Sequence, residues 1–205
     1  MTDESRLDDA RLDVSRHAAR LFWEKGFDAT SGDDIAAAAG ISTRTVWRYF
    51  RSKEACVEPV LKVSELRFAA LLKQWPKTES IDTFLARSMT AFASDDAFIR
   101  DSIAAVRILA ILHREPALRS AWLMACNAAE MELVGVIAGR MSRAAEDFDV
   151  RLCAASVTAA MRLVDEDISS AVINDGLRVS SEDATARIIS AIRTGATLPI
   201  CDAVA

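Results

Sequence analysis

The chain has 205 residues, of which 51% are hydrophobic, and carries a formal net charge of −5. With 7 glycines and 4 prolines it is too poor in turn residues for an all-β fold, and its length suits one or two helical domains with a buried core. The acidic balance weighs against a nonspecific coat for nucleic acid but permits a local basic patch.

Residues 1 to about 9 read as a polar, mobile tail, too acidic for a signal peptide. A first helix is expected from about Asp9 to Lys25, with Val14, Ala18, Leu21 and Phe22 as its packing stripe and Gly26 as its end. Two short helices joined by a tight turn follow between Thr30 and Lys53. The first runs from Asp33 to Ala39, with Thr30 and Ser31 as candidate N-caps. Gly40 supplies the left-handed residue that ends it. Ser42 caps the second, from Thr43 to about Phe50. Ala36 to Ala39 leave little bulk, so the pair can cross closely as a helix-turn-helix.

The second of these helices has two faces. Val46 and Phe50, with Ile41 ahead of them, form a core stripe, while Arg44 and Arg48 fall opposite, flanked by Thr45 and Trp47. Between Ile41 and Lys53 the basic residues Arg44, Arg48, Arg51 and Lys53 meet no acid. Arginine can pair bidentately with guanine, and threonine can meet a phosphate or a thymine methyl. An ordinary solvated basic helix would also carry two arginines; the capped turn, core stripe and acid-free cluster together favour DNA binding.

The segments ARLFWEKGFDAT, DIAAAAGIS and TVWRYFRSKE, spanning about Ala18 to Val57, resemble the N-terminal domain of the TetR family of transcriptional regulators. The resemblance implies that Thr43, Arg44, Thr45, Trp47, Arg48 and Tyr49 contact bases and phosphates and that Lys53 binds a phosphate. Thr30 and Ser31 join them as DNA-facing candidates. Gly32 replaces a usual apolar residue, so the first motif helix is expected to start loosely. Asp33 stands where many members have arginine, and Trp47 replaces the commoner tyrosine.

A connector helix is expected from about Lys53 to Trp75, kinked near Pro59 and stopped by Pro76. Five more helices follow: about Ile81 to Ala93, Asp96 to Arg114, Pro116 to Ala145, Val150 to Asn174 and Ser181 to Thr194, with a loose tail from Ala196. The expected fold is therefore all-α. A DNA-binding domain occupies residues 1–55 and a ligand-binding and dimerisation domain residues 56–205, with about nine helices in total. The alanine-rich stripe on residues 150–174 suits close helix approach or a plain core equally well. The family resemblance implies a homodimer through the last two helices, about 150–174 and 181–194, reading a palindromic DNA operator.

Large adaptable side chains after the connector are candidate lining for a small-molecule effector: Met89, Phe92, Arg107, Trp122, Cys126, Asn127, Met131 and Met161. The acids Asp165, Glu166 and Asp167 interrupt an apolar helix and point in different directions. They are either two solvated acids and a salt bridge at the dimer face, or include a buried carboxylate for a cationic or hydroxylated ligand. Cys56, Cys126, Cys153 and Cys201 are isolated, as are His17 and His113, so no metal, cofactor or disulfide framework is expected. There is no GxSxG and no P-loop, so no enzyme is expected. No apolar run of about 18 residues is evident, so no membrane partner is expected. A cytoplasmic location follows. The reading is a homodimeric repressor released by a small molecule; its rival is an all-helical ligand-binding or enzymatic module with a vestigial DNA-binding head.

Overall fold

The computed structural model describes residues 3–92 and 96–204, with side chains described for 5–89 and 99–204. Among the described residues there are nine α-helices, one 3₁₀ turn and no strand. The helices are α1 (Asp3–Lys25), α2 (Gly32–Ala39), α3 (Thr43–Tyr49), α4 (Glu58–Leu72) and α5 (Ile81–Phe92). They continue with α6 (Asp96–Ile111), α7 (Leu118–Met141), α8 (Phe148–Ile173) and α9 (Ser181–Gly195).

Three expectations need correction. Residues 3–8 are not a tail, since they form the first turns of α1, and residues 1 and 2 lie outside the described residues. The connector is not one kinked helix. A 3₁₀ turn, Glu54–Val57, precedes α4, and Pro59 sits in the first turn of α4, where its missing N–H costs no hydrogen bond. The C-terminal tail is not loose, because Ile200 and Cys201 are buried and the Ile81 N–H donates to the Cys201 carbonyl at 2.7 Å. The apolar residues of the tail find a groove beside α5.

Two hydrophobic cores share α4 and α7. The first joins Phe22, Ile35, Val46, Phe50, Val60 and Leu61 to Ile108, Leu118 and Trp122. The second joins Leu72, Trp75 and Phe84 to Ile137, Val157, Ile192 and Ile200. The first half of α4 therefore belongs to the core of the N-terminal helices and its second half to that of the later ones. Val60 is also tied to α1, since its N–H donates to the Ser15 hydroxyl at 3.1 Å.

α7 is long and apolar enough, at mean hydropathy 1.3, to cross a bilayer by length and composition, a feature the sequence reading overlooked. In the fold its Trp122, Cys126, Leu133 and Ile137 are core residues. α7 ends at Ser142, in the left-handed conformation at φ 51°, earlier than expected. At the other end of the body, Gly195 presses on α8. A Cβ there would lie 2.8 Å from the Ser156 carbonyl oxygen, so only glycine permits this approach of α9.

An ion pair ties α1 to α6. Arg16 of α1 donates to Asp101 of α6 through Nε at 2.7 Å and Nη2 at 2.9 Å, and Asp101 is only 2% exposed.

Candidate functional site

The helix-turn-helix forms as its caps dictate. Ser31 caps α2 by accepting from the Asp34 N–H at 3.1 Å, and the Asp34 carboxylate accepts from the Ser31 N–H at 2.9 Å. This reciprocal box satisfies donors that the helix start otherwise leaves open. It also corrects the expectation of a loose start, since α2 begins at Gly32 itself. Gly40 is left-handed at φ 66°, and Ser42 caps α3 by accepting from the Thr45 N–H.

Gly32 has a definite steric role. A Cβ at this position would lie 2.3 Å from Cζ2 of Trp47. The absence of a side chain in α2 makes room for the large ring in α3, so the two departures from the family pattern fit each other. Asp33 fits as well, for its carboxylate accepts from the Thr43 hydroxyl at 2.6 Å and ties α2 to α3. Gly32→Ala is expected to re-aim Trp47 and weaken DNA binding several-fold. Global stability should change by less than about 1 kcal/mol, because the clash is with the far end of a movable side chain. Parallel denaturant and DNA-binding titrations check this.

Along α3, Val46 is buried while Arg44, Trp47 and Arg48 are exposed. Neither arginine has a carboxylate within ion-pair distance among the described residues, and the Arg48 guanidinium lies 5.4 Å from the Tyr49 ring centre. Thr43, Thr45 and Tyr49 are half-buried beside them. Lys53 is half-buried too. Its ammonium donates to the Phe27 carbonyl at 2.7 Å and sits 4.1 Å from the Phe27 ring centre, which leaves further donors free to turn outward. Arg51 pairs with Glu58. Thr30 leaves the DNA-facing set: it is 1% exposed and its hydroxyl donates to the Gly26 carbonyl at 2.8 Å. Ser31 remains on the surface as the cap.

α4, α5, α8 and α9 border a partly open cavity of about 150 Å³ lined by Ser64, Glu65 and Phe68 of α4, Met89 of α5, Met161 and Asp165 of α8 and Ile188 of α9. A smaller void of about 20 Å³ adjoins it through Glu65, Phe68 and Met161 and reaches Leu133 of α7. Of the eight candidate lining residues, Met89 and Met161 are therefore placed at the cavity. Phe92 falls outside the residues whose side chains are described. Met131 is 66% exposed, and Asn127 is exposed as well, because α7 turns that stripe outward. Arg107 lies elsewhere, 5.8 Å from the Trp23 ring centre, and Cys126 belongs to the first core.

Trp122 is buried, and its indole N–H donates to Glu166 at 2.9 Å. Glu166 also accepts from Arg162 at 2.9 Å and Arg119 at 3.2 Å. Burial opposes ionisation of Glu166, but the hydrogen bonds from Arg162, Trp122 and Arg119 outweigh it and hold its carboxyl below the ordinary value. The three successive acids thus have three environments. Asp165 lines the cavity, Glu166 is a paired hub, and Asp167 meets Arg187 at 2.8 Å on the surface.

Sequence reasoning missed Glu65. The signal was present: Leu61, Glu65, Phe68 and Leu72 share one face of α4, so a lone acid interrupts an apolar stripe. Among the described residues no group of three or more His, Cys, Asp or Glu side chains is arranged to hold a metal ion.

Residues 16–60 match the family model described as bacterial regulatory proteins, tetR family. MftR of Mycobacterium tuberculosis, named for mycofactocin biosynthesis, is 46% identical over 59 residues, 27% of this chain and 30% of its own length. The repressor ComR of Escherichia coli is 34% identical over 88 residues, 42% of this chain and 40% of its own. The chain thus spans less than half the length of the curated relatives it matches. Among solved structures, Salmonella enterica GusR is similar over 90% of this chain and 96% of its own, with a TM-score of 0.55 and 22% identity, a likeness of fold. The matched segment covers the second half of α1, the capped helix-turn-helix and the start of α4, the part whose geometry is described above, and it makes residues 16–60 a TetR-type N-terminal regulatory domain.

Proposed function

We propose that the protein is a homodimeric, DNA-binding transcriptional regulator, a repressor released by a small molecule. The observation that carries this is α3. One face is locked into the core by Val46, and the other presents Arg44 and Arg48 to solvent without an acidic neighbour among the described residues. Residues 1–55 act as the DNA-reading head and 56–205 as the ligand-binding and dimerising body. Thr43, Thr45, Trp47 and Tyr49 complete the reading surface, with Ser31 and Lys53 at its edge. Two such heads about one DNA turn apart would read a palindrome. The same reading puts the protein in the cytoplasm with its DNA.

Dimerisation through about 150–174 and 181–194 has support on α8, where Leu152 and Leu163 are 42% and 58% exposed. The outward residues of α9 are polar, Arg187, Ser190 and Arg193 among them. A ligand in the body has two supports: the cavity itself, and the fold shared with FadR of Thermus thermophilus, in complex with lauroyl-CoA, at 18% identity and a TM-score of 0.51. The switch runs through α4, which carries Glu65 at the cavity and Val60 and Leu61 in the head core. A ligand acts only if it prefers one setting of that helix.

Arg44→Ala is expected to cost about 1–3 kcal/mol on cognate DNA and much less on random duplex, as a guanine-reading arginine should. Equal losses on both duplexes, measured by titration at fixed salt, would assign Arg44 to phosphate instead.

A further inference from the structure

We infer that the cavity between α4, α5, α8 and α9 is a receptor for a small organic cation, with Glu65 and Asp165 as its counter-ions. The inference rests on the regulator reading only for its effect at DNA; the binding itself stands apart.

Four observations point the same way. Both carboxyl groups line the same cavity from opposite elements, Glu65 from α4 and Asp165 from α8. Both are half-buried at the cavity wall, yet neither has a hydrogen-bond donor or basic partner among the described residues. The nearby cations are committed elsewhere, since Arg119 and Arg162 bind Glu166. The rest of the lining is Phe68, Met89, Met161 and Ile188 with Ser64, an adaptable apolar wall. A buried carboxylate without a partner is costly, and a pair of them is costlier. A cation supplies what the protein omits, and the apolar wall takes its carbon body. An apolar cavity of about 150 Å³ accommodates benzene, so a protonated amine on a ring or short chain suits the size. Sulfur and aromatic groups also receive cations well.

Burial is the main reason both carboxyls resist ionisation. It holds both well above the ordinary carboxylate value, with Glu166 adding repulsion at Asp165 and Asp165 adding repulsion at Glu65. Beside the pair, Glu166 and Arg162 of α8 are bonded to each other, and the Cys126 thiol of α7, pushed up by burial, stays neutral. The empty site therefore keeps protons near neutrality that an arriving cation expels. Affinity for a permanent or high-pKa cation should rise between about pH 6 and pH 8 as that expulsion becomes easier. Stability of the empty protein moves oppositely. The folded state holds protons that the unfolded state has lost, so these two groups lower stability as pH rises from about 5 to 8.

The test is calorimetric titration of the full chain with benzylamine and hexylamine, against benzyl alcohol and benzoate as neutral and anionic controls of similar size. The amines should bind and release protons, seen as heats that depend on buffer ionisation; the controls should bind at least about tenfold more weakly. Glu65→Gln and Asp165→Asn keep the shape, remove the charge and should each cut amine affinity about tenfold or more. They should also flatten the pH dependence of stability, which shows that they fold. Equal or tighter binding of the alcohol or benzoate, unchanged amine affinity in both variants, or no amine binding at millimolar concentration would each overturn the inference. Operator binding is measured beside it. Intact DNA binding with no amine binding would sink the cation site and leave the regulator; amine binding without DNA recognition would do the reverse.

Discussion

Arg140→Ala is expected to destabilise the protein by about 3–4 kcal/mol, a large share of a typical domain stability. Arg140 is 4% exposed, and its guanidinium donates to the carbonyls of Pro76 at 2.7 Å, Asp202 at 3.0 Å, Ile200 at 3.1 Å and Glu79 at 3.3 Å. It also stacks 3.5 Å from the Trp75 ring centre. Burial disfavours its charge, lowering its pKa from the ordinary value, and the carbonyls offset that cost. Truncation leaves several of them unpaired and removes a side chain that joins three segments: the end of α4, the start of α5 and the C-terminal residues. Lysine would not rescue it, because a point ammonium cannot reproduce the planar fork. Urea unfolding gives the magnitude. Limited proteolysis gives the place, with early cleavage after α9 in the variant. A loss under about 1 kcal/mol with the tail still protected would show that the carbonyls are satisfied without Arg140.

Arg16→Ala is expected to cost about 3 kcal/mol, near the low end for breaking a buried pair, since Arg16 keeps 40% of its side-chain exposure. The damage lies in what remains, a nearly inaccessible Asp101 carboxylate in α6 without its bidentate partner. Replacing both residues, as Arg16→Met with Asp101→Leu, removes the uncompensated charge and should recover most of the loss. A double variant no more stable than Arg16→Ala would mean the two single effects are unrelated to their pairing. The pair also bridges α1 of the proposed head and α6 of the proposed body. The double variant is therefore the cleaner one in which to ask whether a ligand at α8 still alters DNA binding.

Local chemistry made the head legible in the sequence. Ser31, Gly40 and Ser42 each have a short-range consequence at a helix end, and the structure places each in its expected role. The order of nine helices was legible for the same reason, through caps, prolines and apolar spacing. Long-range packing was not. The burial of Ile200 and Cys201 depends on a groove made by distant elements, and the carbonyls around Arg140 come from segments about 60 residues away. Gly32 looked like a weakness until Trp47, on the next helix, explained it. Periodicity alone could not tell which residues of α7 face inward, so Met131 and Asn127 were assigned to a pocket and lie on the surface. The acid that interrupts the apolar stripe of α4 was visible, but only the fold puts Glu65 opposite Asp165.

The measurement that tests the central claim most directly is selection of bound sequences from a random duplex pool by the purified full chain at near-physiological salt. The expected result is a palindromic consensus whose half-site centres lie about one helical turn apart, as two α3 helices of a dimer require. Recovery of no preferred sequence by folded, dimeric protein would contradict the account.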